Sequence, residues 1–577
     1  MAIALPDLAP SRTPPADAAP APARLFTPAR LGLLVLSGVL GAAAFPLAFP
    51  FGPRRELFSG GALEPLAFVC LVPLLWALHG LSTKKAFAAG LLAGIVFFNG
   101  TFWWVNVAMT SFGGMPNALS IPALQLLVLY CALHWALAAW AMRTMDVHLG
   151  WSPGWTVGPT WMAIELLRNY SLSGYPWANL GYSQARNLWF SQIASLAGVY
   201  GVALALAVVN GAVYETLRCR LVLKRPFPRA VLLLAGAVLL FGHLYGAWRV
   251  RKWDALIARA PVVRVAVVQG NIDQKLKMVQ GSRSGLVLGR YLPATAAAVA
   301  AGAELVVWPE GSYPLAFPTG VTRVEGRGLD TVVGGSRVLI GVDVYDPKDL
   351  RRGNENAAFL VGPDLGIEHH YVKHHLVPYG EYIPLHMDEW LPIQNLVPGT
   401  FLPGEDLSPA LLRRPVGRPL KVGIEICYDA IFPEISREFV LRGADVLVNM
   451  TNDAWYGFSS ANFQFLRKVA MRAVETGRPF ARAANTGVSA FIDPLGRVSQ
   501  AIPIGLSESD HLRISAAELA GPEWRVADLP LLTERTPYVV LGDVPAYLAA
   551  LFAVGGTLAA LVRARRRHAP GPGPTRT

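Results

Sequence analysis

Between Leu31 and Trp248 the chain carries only five acidic residues, Glu56, Glu64, Asp146, Glu165 and Glu215, whereas 32 of its 39 lie from Arg249 onward. A stretch so poor in charge cannot cover itself with a water-soluble surface. An apolar run of about 20 residues can cross a roughly 30 Å hydrocarbon layer as a helix, because a helix satisfies its own backbone hydrogen bonds. Eight segments read this way: 30–49, 62–80, 86–109, 118–142, 154–170, 192–215, 229–247 and, near the C-terminus, 539–562. The fifth is the shortest and carries Glu165 and Arg168. A carboxylate at membrane depth points either to function or to pairing with an arginine one helical turn away. The whole 577-residue chain is 53% hydrophobic and 16% charged, against about 25% charged for an ordinary soluble domain, which argues against a cytosolic enzyme. Its formal charge of +12 does not call for nucleic acid, since the bases cluster beside apolar segments as membrane topology requires.

Lys and Arg in short connections favour the cytoplasmic side. Arg24 and Arg30 precede the first segment, Lys84 and Lys85 follow the second, and Arg218, Arg220, Lys224, Arg225 and Arg229 follow the sixth. If the segments alternate, all of these share one side. Arg563, Arg565, Arg566 and Arg567 join them only if an odd number of spans precedes the long polar region, and seven satisfies this. Arg54 and Arg55 fall on the other side, beside Glu56, and are outnumbered. The expected organisation is a disordered cytoplasmic leader over 1–29, a membrane domain of seven spans over 30–249, an extracytoplasmic polar domain over 250–535, an eighth span over 536–563 and a basic cytoplasmic tail over 564–577.

Within the spans, Gly90 and Gly94 form a GxxxG pair, which permits close helix approach and is also common by chance in Gly- and Ala-rich helices. Phe97, Phe98, Phe102, Trp103 and Trp104 read as an aromatic belt at the membrane interface, with a lipid-facing entrance as the other reading. Cys70, Cys131 and Cys219 lie in or beside spans, so Cys427 is alone in the polar domain and has no partner there for a disulfide. A lone thiol is either a buried small hydrophobe or a nucleophile.

From about Pro261 the pattern changes to short β-rich runs at 262–272, 304–313, 338–345, 357–363, 421–429, 444–453 and 488–493, with helical patterns at 288–302 and 461–476. Near-continuous Val, Ile and Leu predicts strands covered on both faces, hence an α/β domain. Several runs end in a reactive group: Glu310 after ELVVWP, Cys427 after KVGIEI, and Asn452 and Asp453 after ADVLVNMT. Ligands in α/β folds sit beyond strand carboxyl ends. The segment YVKHHLVPYGEYIP, 371–384, adds Lys373 and Glu381.

If these segments converge, Glu310 can take the proton of Cys427, Glu381 can tune it, and Lys373 can both lower the thiol pKa and stabilise an oxyanion. Taken singly, each also reads as an ordinary strand-end or turn residue. His369, His370, His374 and His375 match no zinc spacing, so no metal and no cofactor are expected, and neither GxxxxGK[ST] nor GxSxG occurs.

WPEGS (308–312), KHHLVPYGEYIP (373–384) and Cys427 in GIEICYD resemble the Glu-Lys-Cys core of the nitrilase superfamily, in the same order. With the apolar segments, GYPWANLGYSQ (174–184), NDAWYG (452–457) and RAVETGRPFARAANTG (472–487), the chain from about 30 to 563 resembles the bacterial apolipoprotein N-acyltransferase family. The resemblance implies a polytopic α-helical membrane domain plus a nitrilase-like α/β domain, a four-layer α-β-β-α sandwich facing the periplasm of an inner membrane. It implies transfer of a fatty acyl chain from a phospholipid, typically phosphatidylethanolamine, through a Cys427 thioester to the α-amino group of a lipoprotein's S-diacylglyceryl cysteine. Cys427 is then the nucleophile, Glu310 the base and Lys373 the electrostatic stabiliser. Glu381, Tyr428, Asp429, Met278, Asn452 and Trp455 become supporting or substrate-contacting residues. Two positions depart from the family pattern: Met278 stands where a Trp is usual, and Asp429 where a Glu is commoner. Residues 385–418 align with nothing and are expected to include a loop over the site. The expected partners are the phospholipid donor, the diacylated apolipoprotein acceptor and the membrane, with a monomer favoured. A membrane-tethered nitrilase-type amidohydrolase and a catalytically inactive scaffold remain as alternatives.

Overall fold

The computed structural model describes residues 24–46, 63–272, 274, 283–324, 328–349, 353–384, 400–414, 417–457, 459–502 and 523–568. Met278, most of the leader and 385–399 therefore lie outside the described residues.

Helices occupy all eight apolar segments. They are α1 (Pro28–Ala43), α2 (Val72–Leu78, preceded by a 3-10 turn at Glu64–Phe68), α3 (Thr83–Val107), α4 (Asn117–Leu149), α5 (Pro153–Tyr170), α6 (Ala194–Leu217), α7 (Arg229–Ile257) and, at the far end of the chain, α12 (Val544–His568). Among the described residues, five helical stretches are long and apolar enough to cross a membrane: Thr83–Ser111, Asn117–Leu149, Phe190–Val222, Arg229–Ile257 and Val544–Arg567. Local signals set the ends. Thr27 accepts from the Arg30 N–H ahead of Pro28, and Gly150 closes α4 in the left-handed conformation.

The GxxxG pair is an internal contact between α3 and α4. A Cβ on Gly90 would sit 2.5 Å from the Trp135 carbonyl oxygen, and one on Gly94 would sit 2.9 Å from Ala132. The aromatic cluster is likewise not a belt: Phe97, Phe98, Phe102 and Trp104 are buried, and only Trp103 is exposed. Phe97 stacks on Trp135 at 4.8 Å, and Trp104 contacts Trp177 and Tyr456. Glu165 does not pair with Arg168. Its Oε1 accepts from the Trp161 indole at 3.1 Å and the Leu180 N–H at 2.6 Å, while Arg168 donates to Asn179.

The α/β domain holds two sheets. The first runs β13-β1-β2-β4-β5-β6, with β3 on the far end of β4. Its strands are β1 (Val262–Gln269), β2 (Leu305–Val307), β3 (Ala316–Pro318), β4 (Arg337–Tyr345), β5 (Glu355–Val361), β6 (Ile367–Val372) and β13 (Glu523–Pro530). The second runs β12-β11-β10-β9-β8-β7, from β7 (Ala410–Leu412), β8 (Leu420–Ile426), β9 (Val446–Thr451), β10 (Phe480–Ala484), β11 (Ser489–Ile492) and β12 (Val498–Ile502). Strands β8, β9 and β10 are parallel and almost wholly buried, as strands covered on both faces must be. β1 and β5 meet the second sheet, α8 (Arg283–Ala300) covers the first, and α9 (Pro433–Leu441) and α10 (Ser460–Thr476) cover the second, giving the α-β-β-α order.

The α9–α10 layer is shared with the membrane helices. One continuous buried cluster runs from Leu34 and Phe97 through Tyr182 and Val199 to Phe465, Val469 and the strands beneath. Gly198 is the hinge of this contact. At φ +65° and ψ −175° it interrupts α6, and the Val199 N–H released by the kink donates to Glu475 Oε1 of α10 at 2.7 Å. Helix α7 runs ten residues beyond its predicted end at 247, because Arg249 and Trp253 pack onto the α/β domain and Arg249 reaches the Val474 carbonyl. The short helix α11 (Pro537–Leu541) leads from β13 back to α12.

Candidate active site

Three chain segments meet at the carboxyl ends of β2, β6 and β8. Glu310 follows β2 in a turn held by the Trp308 N–H to the Leu339 carbonyl and the Tyr313 N–H to the Gly341 carbonyl. Gly341 permits that approach, since a Cβ there would stand 2.5 Å from the Pro309 oxygen and 2.8 Å from the Glu310 Cα. Lys373 follows β6 and is 1% exposed. Cys427 ends β8 at the entry to a 3-10 turn over Cys427–Ile431, with φ at +48°. A non-glycine residue in that region is strained, and strain of this kind clusters at functional sites.

The Lys373 Nζ lies 2.8 Å from Glu381 Oε1 and 3.2 Å from Glu310 Oε1. The Asn356 Nδ2 on β5 donates to the same two oxygens, at 2.9 and 2.8 Å respectively. Glu310 Oε2 accepts from the Asn452 N–H at 3.0 Å, and Glu381 Oε2 from the Val377 N–H at 2.8 Å. Burial alone would push the Glu310 carboxyl up, but Lys373, the Asn356 amide and the Asn452 N–H outweigh it and hold it below the ordinary range. Burial would likewise lower Lys373, yet Glu310, Glu381 and Cys427 hold the ammonium well above its usual value. The thiol behaves opposite to the sequence expectation. Burial and Glu310 push Cys427 up, and Lys373 opposes this only in part. The resting pair is therefore a neutral thiol and a carboxylate.

Asp429 fastens two of the segments together. Its Oδ1 accepts from the His375 N–H at 2.7 Å, and its Oδ2 from the Tyr371 hydroxyl at 2.8 Å and the Ile426 N–H at 3.0 Å. The lysine segment is thus tied to the cysteine turn from both sides of Lys373. Tyr428 donates to the Gly174 carbonyl at 3.3 Å and His375 Nε2 to the Ser173 carbonyl at 2.7 Å, so a loop after α5 seats the site on the membrane domain. Asn452 bridges Gln274, at 2.8 Å, and Asn485, at 3.0 Å. Trp455 lies in the 3-10 turn Asp453–Tyr456. The described part of 385–418 is pinned rather than loose: the Phe401 N–H donates to the Glu381 carbonyl and the Gly404 N–H to the Lys373 carbonyl. Among the described residues, no three His, Cys, Asp or Glu side chains group as metal ligands.

The family described as the apolipoprotein N-acyltransferase N-terminal domain matches residues 37–212, and the carbon-nitrogen hydrolase family matches 264–504. An apolipoprotein N-acyltransferase of Geobacter metallireducens is 34% identical over 481 residues, covering 82% of this chain and 87% of the relative. The chain belongs to the apolipoprotein N-acyltransferase family. A second member, from Shewanella oneidensis, is 30% identical over 526 residues, covering 89% of this chain and 92% of its own. A Saccharomyces cerevisiae nitrilase-superfamily crystal structure aligns at 18% identity and TM-score 0.32, over 49% of this chain and 95% of that one.

In this member of the family, sequence reasoning missed Asn356, which joins Glu310 to Glu381, and Asn449, whose Nδ2 lies 3.4 Å from the Cys427 carbonyl. A buried asparagine inside an otherwise apolar strand is the one signal that singles out either residue.

Proposed function

We propose that this chain is an apolipoprotein N-acyltransferase that carries a fatty acyl group on Cys427. The observation that supports this most is the convergence of Glu310, Lys373 and the strained Cys427 in a buried turn seated on membrane-domain carbonyls. In the first half-reaction Glu310 accepts the thiol proton as the sulfur attacks the ester carbonyl of a phospholipid such as phosphatidylethanolamine. Lys373 stabilises the oxyanion. The carbon–oxygen bond then breaks, and the lysophospholipid alkoxide leaves with the proton from Glu310. In the second half the α-amino group of an S-diacylglyceryl cysteine attacks the thioester, the carbon–sulfur bond breaks, and the amine proton returns to the thiolate through Glu310. An ester is activated relative to the amide product, so no nucleotide is required. Glu381 and Asn356 hold Lys373 and Glu310 in register, and Asp429 holds the lysine segment against the cysteine turn.

Both substrates carry acyl chains that bind membranes at about 0.8 kcal/mol per buried methylene, so the helices concentrate donor and acceptor at the site. Ping-pong kinetics follow from a single covalent intermediate. On this reading the protein sits in the inner membrane with its α/β domain in the periplasm and works as a monomer.

The test is intact mass of the detergent-purified protein after incubation with phosphatidylethanolamine, for wild type and Cys427→Ala, followed by a diacylated Cys-Ser-Lys peptide. A fatty-acyl increment on wild type alone, discharged by the peptide into a triacylated product, is expected. Discharge by water at the same rate with or without peptide would make the protein an amidohydrolase-like enzyme. No increment with any phospholipid would overturn the covalent route.

A further inference from the structure

The loop after α5 that seats the cysteine turn is itself gripped from the α/β side. Its Ser173 carbonyl accepts from His375, close after Lys373, and its Gly174 carbonyl from Tyr428, next to Cys427. Further along the same loop, Trp177 is 1% exposed. Helix α10 holds this indole at two points one turn apart. The Trp177 N–H donates to Gln464 Oε1 at 2.7 Å, and the Lys468 Nζ stands 3.6 Å from the centre of the Trp177 ring. The Gln464 amide also donates to the Pro46 and Thr101 carbonyls, so the loop, α1 and α3 are gathered on one face of α10.

Lys468 is a buried amine without an anion. It is 1% exposed, and among the described residues its one hydrogen bond runs to the Gln464 carbonyl at 3.2 Å. The carboxylates around α10 are taken by arginines: Glu64 by Arg467, Glu475 by Arg472 and Asp453 by Arg482. An ammonium has three protons to give, and the negative face of an indole is the best aromatic partner for a cation. The Tyr182 ring adds a second face, 5.5 Å from the same Nζ. Burial, and after it Arg472, Arg467, Arg482 and Arg168, push the amine's pKa well down. The ring faces and the Gln464 carbonyl are what favour its charged form. Methionine would fill much the same space with no charge to desolvate, so packing alone does not call for a lysine here.

We propose that Lys468 is a positioning residue, whose ammonium clamps Trp177 to α10 and so holds the Ser173 and Gly174 carbonyls where His375 and Tyr428 meet them. The catalytic half of this rests on the reading of Cys427 as the nucleophile. Releasing the indole frees the loop to shift, and His375 and Tyr428, bonded to it, pass that freedom to the lysine segment and the cysteine turn.

The test compares full-length wild type, Lys468→Met and Lys468→Arg in detergent. It reads hydrogen exchange at the Gly174 and Tyr175 amides, thermal unfolding, and the rate of fatty-acyl addition to Cys427 from phosphatidylethanolamine. Methionine is expected to speed the exchange by about tenfold, the weight of one desolvated cation–π contact. It is expected to slow acylation at saturating lipid by a similar factor, with the half-saturating lipid concentration unchanged. Its melting temperature should equal or exceed that of wild type, whereas a side chain that merely packs would lose stability and activity together. Arginine, which keeps a cation able to stack on the indole, is expected to stay within about threefold of wild type. Methionine with wild-type exchange and acylation would overturn the proposal, and is the result an already neutral amine would give. So would arginine impaired as much as methionine, a melting temperature that falls along with activity, or faster exchange with an unchanged acylation rate. Absence of any acyl-enzyme in wild type would overturn the acyltransferase reading instead, and the exchange comparison, which needs no lipid, would still decide the clamp. If the methionine protein does not fold, Lys468→Leu is the uncharged comparison and is judged by the same outcomes.

Discussion

Lys373 is the only cation within hydrogen-bonding distance of Glu310 and Glu381 among the described residues, and all three side chains are nearly out of water. Breaking a buried pair by deleting one partner costs about 3–5 kcal/mol, because the other charge is left stranded. Lys373→Met should abolish acyl transfer, by at least about a hundredfold for a lost oxyanion partner. It should also lower the thermal transition more at pH 8 than at pH 5, where protonating one carboxyl relieves the repulsion. Equal lowering at both pH values would show that the lysine acts through packing. Glu425, two residues before Cys427, gives the opposite pH signature. It is fully buried, with the Ser436 hydroxyl on Oε1 at 2.5 Å, and burial pushes its pKa up to about 8. The folded protein then keeps a proton that the unfolded chain releases above the ordinary value of 4.5. Stability should therefore fall as pH rises from there to about 8, at up to about 1.4 kcal/mol per pH unit, and level off beyond. Glu425→Gln removes that proton exchange. Its melting temperature should match wild type near pH 5 and exceed it at pH 9, and an unchanged pH slope would refute the account. Glu310 and Cys427 stood out in the sequence because each ends a run dominated by Val, Ile and Leu, and Lys373 because its segment 371–384 lies between the two. Asn356 and Asn449 did not, since what they join depends on strand register and on which oxygens converge, and neither is written in spacing. The direction of the thiol shift was misread for a related reason: burial outweighs the lysine, and depth is a property of the packed molecule.

At the scale of elements, the kink in α6 carries the junction between the two domains. An alanine at Gly198 would need a backbone conformation open almost only to glycine, at a cost of about 1–3 kcal/mol, and its Cβ would lie 2.7 Å from the Tyr538 ring. Straightening the helix would take the Val199 N–H away from Glu475, which Arg472 alone would then hold. Gly198→Ala is expected to lower the thermal transition and to speed proteolysis between the domains, while a Gly32→Ala control on the open face of α1 should do neither. Wild-type behaviour in Gly198→Ala would show that the kink is dispensable. The membrane helices were legible because their apolar runs are long and uninterrupted. β6 and β10 were not, for opposite reasons. The sequence IEHHYV of β6 is half exposed at a sheet edge, and FARAA of β10 places Arg482 in the middle of a buried strand, where Asp453 and Asn449 satisfy it. A buried, fully paired charge looks like a loop residue until its partners are known.

At the scale of the whole molecule, the basic groups at Arg24 and Arg30, at Lys84 and Lys85, over 218–229 and over 563–567 lie at helix ends remote from the contacts with the α/β domain. The far end of α1 meets that domain through the Pro46 carbonyl, which accepts from Gln464 at 3.0 Å, so Arg24 and Arg30 are at the opposite end. In α3, the Thr101 carbonyl accepts from the same Gln464 at 3.2 Å and Trp104 touches Tyr456, which leaves Lys84 and Lys85 remote. Helix α7 docks through Arg249 at its C-terminal half, with Lys224 and Arg225 before its start and Arg229 at its first position. Helix α12 begins beside Asp543, which accepts from Tyr170 and Tyr538, and ends in Arg563, Arg565, Arg566 and Arg567. Four helices of different direction thus bring these basic groups to one side, and positive residues in short connections stay cytoplasmic. The α/β domain should accordingly lie outside. Alkaline phosphatase, active only after export, should be active when fused after Ile492 and inactive when fused after Arg567, with green fluorescent protein giving the reverse pattern. Phosphatase activity at both sites would mean an even number of crossings between them and would break the seven-plus-one arrangement. The reverse pattern would put Cys427 in the cytoplasm, away from any exported lipoprotein substrate. Replacing the tail arginines alone should leave the orientation intact, because Lys84, Lys85 and the cluster before α7 still hold the same face inside.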